Sequence, residues 1–436
     1  MLFNSYDFIF VFLVSVVLLH RMIAPRFRVW FLVVASVVFY AQWSLFHLFI
    51  LLFSVGINFF FASLLHRKAD RILLFVGIGF NLCLLGYFKY AEFLNLREES
   101  ILLPLAISFF TFQQIALIVD VYNRRVVVEG FREYLFFVLF FPQLVAGPIV
   151  HYGELLGQKK RVQSGVGGEW LLAGCVLFSM GLFKKVVLAD NLVRFINNYE
   201  NSFDAWMGNF CYSFMIYFDF SGYSDMALGL GLLFGVKLPI NFLSPYKSRN
   251  LIEFWRRWHI TLSRFLRDYV YIPLGGSRNG KLNEIFSLLV TMVLGGFWHG
   301  AGWNFVVWGF LHGIFLALLH ICKIETKRIV GVGVTFLVVS LLWILFGAQN
   351  LSEALDRYEV MFSFGGFSGF DWVRESFLVG SFLIVFFMPN SMEIVGYNRD
   401  KFCLKRWHLA LAGVLLFFAL KLMAEAPSRS FVYFNF

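Results

Sequence analysis

Residues 291–305 read TMVLGGFWHGAGWNF. They close one apolar stretch, 284–299, and open another, 303–321, with His299 where the two meet. A helix crosses the hydrocarbon core with about 20 apolar residues, in a range of about 17–25. Both stretches are candidate spans. A titratable side chain at the end of a span is costly and marks a functional position by default. Gly295, Gly296, Gly300 and Gly302 let a backbone or ligand approach it closely. The structural alternative is a histidine that hydrogen-bonds a neighbouring helix.

Outward from this point, similar stretches recur near 6–20, 29–42, 44–65, 72–90, 101–120, 169–188, 205–235, 329–347, 372–389 and 407–424. The expectation is an all-α integral membrane protein with about 11–12 transmembrane helices. The 205–235 stretch is long enough to be strongly tilted or broken. The composition agrees, at 59% hydrophobic and 15% charged with 58 phenylalanines. Soluble chains average about 45–50% apolar and about 25% charged. Apolar stretches run along the whole chain, so the first is read as a span and not as a removable leader.

Two apolar segments are poor simple spans. Residues 134–150 contain Pro142, Gly147 and Pro148, and residues 238–277 mix aromatics with many arginines. Non-helical backbone at membrane depth survives only when buried in protein or lining a wet cavity. Both segments are expected to be re-entrant or interfacial.

The net charge of +10 is first a matter of orientation, because Lys and Arg accumulate in cytoplasmic loops. With the N-terminus outside and alternating spans, the inner loops hold most of the 37 basic residues, among them Arg21, Arg67, Lys159, Lys323 and Arg406. The outer loops near 92–99 and 353–371 are mainly acidic. Both termini are then expected outside, and nucleic acid is not a partner. The five cysteines are scattered, without CxxC or metal-ligand spacing. No soluble domain, linker or internal repeat is visible. The chain is read as one transmembrane domain, 1–436, with a 238–277 interfacial segment and an extracytoplasmic tail from 425 to 436. The missing repeat counts against a transporter.

Residues 241–278 read NFLSPYKSRNLIEFWRRWHITLSRFLRDYVYIPLGGSR. Arg and Trp together suit a helix lying along the membrane surface. Arginines at a cytoplasmic mouth would also attract a phosphate-bearing donor. His259 has Arg256 three positions back and Ser263 four positions on, which one continuous helix would place on one face. His151, His312 and His320 rank lower. Asp219 and Asp225, in YFDFSGYSDMALGLG (217–231), should face the protein interior, and pairing with Lys184 or Lys185 as a structural ion pair is the favoured reading. The closing FVYFNF (431–436) reads on local chemistry as an interfacial aromatic belt, with a tail that folds into a cavity as the alternative.

Together these motifs resemble the membrane-bound O-acyltransferase superfamily, in the branch that O-acetylates alginate and peptidoglycan. The resemblance runs through LPLAISFFTFQQIALIVDVY (103–122), FFPQLVAGPIVHY (140–152), GLFKKVVLADNL (181–192), NLIEFWRRWHITLSRFLRDYVYIPLGG (250–276), LGGFWHGAGWNFVVWGFLHG (294–313) and the terminal FVYFNF. It implies that His299 is the catalytic histidine and His259 a second functional position. It implies a ring of helices around a thinned centre with a cytoplasmic funnel. It also implies that Tyr433 in the tail accepts the acyl group, which displaces the belt reading. Arg256, Arg257, Trp258, Trp298 and Asp219 are carried as donor-path or supporting residues. No metal or permanently bound cofactor is expected. The donor is expected to be acetyl-CoA or an acyl carrier thioester. The partner is expected to be an extracytoplasmic SGNH-type transferase serving a polysaccharide, at a bacterial inner membrane. Competing readings are a D-alanyl transferase for teichoic acid, an acyltransferase making membrane lipids, and a small-molecule transporter without covalent chemistry.

Overall fold

A computed structural model of the chain describes residues 1–94, 96, 102–196, 199–322, 327–363, 365–367, 369–399, 401–425 and 429–432. Residues 433–436, Tyr433 among them, Lys323 and half of the stretch 92–99 lie outside the described residues. The protein is 75% helical, and no strand occurs among the described residues. The chain is thus an all-α integral membrane protein.

Each apolar stretch singled out above is helical. Among the described residues seven helices are long and apolar enough to span: Leu45–Arg67, Arg71–Lys89, Gly168–Phe195, Lys281–His299, Trp303–Cys322, Arg328–Gly347 and Arg406–Glu425. Others are shorter. Arg28–Ala41 has 14 residues, and Ile107–Tyr122 and Trp372–Phe387 have 16 each. The Ile107 helix begins later than expected, because Pro104 lacks an amide hydrogen and Ala106 sits at φ 63°. Ser202–Leu233 is one unbroken helix of 32 residues. It is buried over nearly its whole length, so its polar side chains avoid lipid.

Contacts divide the chain into two compact units. The first comprises Met1–Leu182, Tyr223–Pro239 and Arg399–Ser430. It is tied together by buried amides. Asn58 and Asn81 exchange hydrogen bonds of 3.1 and 2.6 Å between Leu45–Arg67 and Arg71–Lys89. Gln114 Nε2 donates to Ser54 Oγ at 3.0 Å, and the Tyr134 hydroxyl donates to Gln114 Oε1 at 3.0 Å. In this unit the 134–150 segment is a helix to Leu139, a single helical turn at Phe141–Leu144 and then irregular chain, buried throughout. That agrees with the rule that irregular backbone at depth is enclosed by protein.

The second unit comprises Phe183–Gly222, Ile240–Asn398 and the chain from Phe431. At its heart is the hairpin of Lys281–His299 and Trp303–Cys322. A Cβ at Gly296 would overlap the Phe305 carbonyl oxygen, and one at Gly309 would overlap that of Met292. Glycine at these two positions lets the backbones touch, as in close-packed membrane helix pairs. Asn304 holds the third helix by donating to the Leu345 and Ala348 carbonyls at 3.1 and 2.9 Å, near the C-terminal end of Arg328–Gly347. A buried ion pair, Arg374 Nη1 to Asp204 Oδ1 at 2.6 Å, joins Trp372–Phe387 to Ser202–Leu233.

Candidate active site

The second unit holds His259, His299, Asp219 and the arginine stretch that the sequence singled out, whereas His151 and Asp225 belong to the first. His299 ends its helix with its ring among three aromatic rings. Centroids lie at 4.9 Å for Trp298, 5.3 Å for Trp308 and 5.1 Å for Phe346, all near edge-to-face. Its residual exposure is 3%. The helix ends here because Gly300 turns to extended backbone at φ −159°.

His259 differs from the expectation of one continuous helix face. It sits at φ 41°, ψ 55°, between the short helices Leu251–Trp255 and Ile260–Leu266. A non-glycine residue in the left-handed region carries strain of order 1–3 kcal/mol and persists only where its surroundings hold it. Here Asn241 is that hold. Its carbonyl oxygen accepts the Ile260 N–H at 3.0 Å. Its side-chain oxygen lies 3.0 Å from His259 Nδ1, 3.0 Å from Thr261 Oγ1 and 3.3 Å from the Thr261 amide. Both Asn241 and His259 are fully buried. The break turns the His259 ring towards Phe220, at 4.7 Å, and Trp298, at 6.2 Å. Trp298 therefore touches both histidines.

Arg256 and Ser263, displaced from the His259 face, instead line a cavity of about 510 Å³. Arg264, Arg267, Tyr271 and His320 contribute polar groups to it, and Ile252, Leu288, Met292 and Leu316 are among its apolar ones. The cavity thus joins three guanidinium groups to an oily wall. Its lining reaches Met292 on the helix that carries His299. Seven residues at 1.5 Å each put roughly 10 Å of helix between that residue and His299.

The remaining supporting residues separate. Arg257 is paired with Glu253 at 2.5 Å and does not line the cavity. Trp258 is buried between Phe254, Tyr246 and Trp343 as packing. Asp219 pairs with Lys185 at 2.6 Å, the ion pair expected, while Lys184 donates to Ser391. His312 is buried, with Trp255 Nε1 donating to its Nδ1 at 3.3 Å and the Trp308 ring at 4.7 Å. Asn241, Trp308 and Phe346 escaped the sequence reading. Asn241 stood inside the quoted arginine stretch, but an amide 18 positions from its histidine gives no local signal. Among the described residues no cluster of three His, Cys, Asp or Glu side chains could hold a metal.

A helical membrane protein with two buried imidazoles beside a cationic, oil-walled cavity has the parts of a membrane acyltransferase. The chain belongs to the membrane-bound O-acyltransferase (MBOAT) family, whose model matches residues 35–330, and it is an acyltransferase. It is 38% identical to a peptidoglycan O-acetyltransferase of Helicobacter pylori, over 100% of this chain and 98% of that one. It is 40% identical to a probable alginate O-acetylase of Pseudomonas aeruginosa, over 99% of this chain and 85% of the other. A teichoic acid D-alanyltransferase of Streptococcus thermophilus is 30% identical over 50% of this chain and 57% of its own length.

Proposed function

We propose that this protein moves an acetyl group from a cytoplasmic thioester, acetyl-CoA or an acyl carrier, to the outer face of the bacterial inner membrane. There an SGNH-type partner passes it to a cell-surface polysaccharide. The observation that carries the reading is the contact of both His259 and His299 with the Trp298 ring, in a helix hairpin next to the arginine-lined cavity. The full-length match to two O-acetylating relatives supports acetyl over D-alanyl transfer, since the D-alanyl relatives match about half the chain.

In this mechanism Arg256, Arg264 and Arg267 hold the donor's phosphates. A long flexible thioester arm runs along the apolar wall towards His299, whose aromatic neighbours must swing aside to admit it. His299 acts as general base towards the Tyr433 hydroxyl. A phenol has a pKa of about 10 and needs such a base at neutral pH. The Tyr433 oxygen bonds to the acyl carbon as the thiolate leaves and takes up the proton. The aryl ester remains activated, because a phenolate leaves more readily than an alkoxide. A partner hydroxyl then takes the acyl group, a two-step relay across the membrane. The basic inner loops support a tail on the outer side.

The test is purified protein given isotopically labelled acetyl-CoA, followed by mass spectrometry of the C-terminal peptide. Label on Tyr433 is expected. A transporter would give flux without labelled peptide, and a lipid acyltransferase would give labelled lipid. Unchanged polymer acetylation by Tyr433→Phe would end the relay.

A further inference from the structure

The proposed chemistry makes no use of Lys185 or Asp219, yet their pair reaches the C-terminus. Lys185 lies in the wide turn Lys184–Ala189, and Asp219 lies on the Ser202–Leu233 helix. Lys185 Nζ is 2.6 Å from Asp219 Oδ1 and 2.8 Å from Asp190 Oδ1. The Lys185 and Asp219 side chains are 3% and 1% exposed. The second Asp219 oxygen faces the chain's end, where it accepts the Val432 backbone N–H at 3.0 Å, across 213 residues of sequence. Hydrogen bonds to an ionised acceptor are roughly twice as strong as neutral ones. An apolar contact accompanies it. Phe431 is 2% exposed and packs on Phe220 at 5.3 Å. The same Phe220 ring lies 4.7 Å from His259.

We infer that Lys185 and Asp219 clamp the C-terminal segment. They fix the main chain one residue before Tyr433, against the aromatic ring that also packs on His259. A main-chain amide as the gripped group leaves the bond independent of the side chain at 432, proline excepted. Lys185 aims the carboxylate, and Phe431 supplies the apolar anchor. These are positioning residues for the transfer. That consequence rests on the relay proposed above, whereas the docking itself does not.

Removing Asp219 alone would leave Lys185 a partner short, and breaking one side of a buried pair is strongly destabilising. The test therefore uses the double variant K185M/D219L in the full-length protein, with Phe431→Ala as an independent way of loosening the tail. Three quantities are read: hydrogen exchange at the terminal peptide, carboxypeptidase release of the last residues, and acetyl transfer against donor affinity. In both variants the clamp predicts faster exchange and faster release. It predicts transfer slowed by about tenfold or more, the usual scale for a misplaced reacting group, with donor affinity unchanged. A merely structural ion pair would lower thermal stability without freeing the tail. If K185M/D219L keeps native exchange and carboxypeptidase resistance, the clamp is overturned. If the tail is freed in both variants but Tyr433→Phe still transfers acetyl normally, the clamp stands and the relay falls.

Discussion

Asn241 decides which nitrogen of His259 carries the proton. A backbone amide can only donate, so the Asn241 atom facing the Thr261 N–H must be oxygen. The same atom lies 3.0 Å from His259 Nδ1, which must then donate to it. Nδ1 holds the hydrogen and Nε2 is the ring's acceptor. A histidine fixed in this way is set to receive a proton or a hydrogen bond from a substrate hydroxyl. It keeps that tautomer while Nδ1 faces the Asn241 oxygen.

Replacing Asn241 by Ala should strip three hydrogen bonds from one buried point. A buried donor left without a partner costs about 1–3 kcal/mol. Thermal unfolding in detergent should shift down accordingly, and acetyl transfer should fall by about tenfold or more as His259 loses its orientation. Asn241→Asp keeps the accepting oxygen and should recover part of the transfer rate. Equal activity in Asn241→Ala and wild type would show that the tautomer does not matter.

His299→Ala should leave donor binding intact and remove transfer. Loss of a positioned general base lowers rate by about 10²–10⁴-fold. The check is a single-turnover assay with labelled donor beside an equilibrium binding measurement. Residual transfer within tenfold of wild type would move the base elsewhere, with His259 the next candidate.

Arg256→Ala and Arg264→Ala should raise the KM for the thioester and leave kcat near wild type. A lost charge-assisted hydrogen bond is worth about 1.5–3 kcal/mol, or about 10–100-fold in affinity. The effect should shrink as salt is added, since exposed charges are screened. Arg257→Ala should change KM little, because that side chain does not line the cavity. A KM increase confined to Arg257→Ala would place the donor elsewhere.

Gly309→Val should wedge the central hairpin apart. Overpacking a tight contact costs about 1–3 kcal/mol, and here the added atoms meet a carbonyl oxygen and not a movable side chain. Lower thermal stability and loss of transfer should appear together. A substitution at Gly333, where a Cβ meets nothing within 4 Å, is the matched control.

The all-helical membrane fold was legible because hydrocarbon imposes one demand on every span. Twelve apolar stretches could be read and each carries a helix, and the segment around Pro142 breaks into a helix, a single helical turn and irregular chain. What escaped was non-local. Nothing in the spacing of Arg256, His259 and Ser263 warns that the chain turns left-handed at His259. That turn is held by Asn241, 18 positions earlier in the chain. The expected pairing of Asp219 with a lysine could be read from the cost of lone charges in a span. The partner it finds at Val432 could not, because a main-chain amide has no signature in sequence.

The buried amides of the first unit bear on biosynthesis. Asn58, Asn81 and Gln114 sit on three successive helices, and each would strand polar groups in lipid if released alone. The first two helices leave the ribosome before the third, so the Asn58–Asn81 exchange is the earliest contact that can shield them. The two helices should therefore leave the insertion machinery as a hairpin and wait there for Gln114. In nascent chains truncated shortly after Lys89 the two helices should crosslink within one chain at this pair. With leucine at both positions each helix should partition into the bilayer singly.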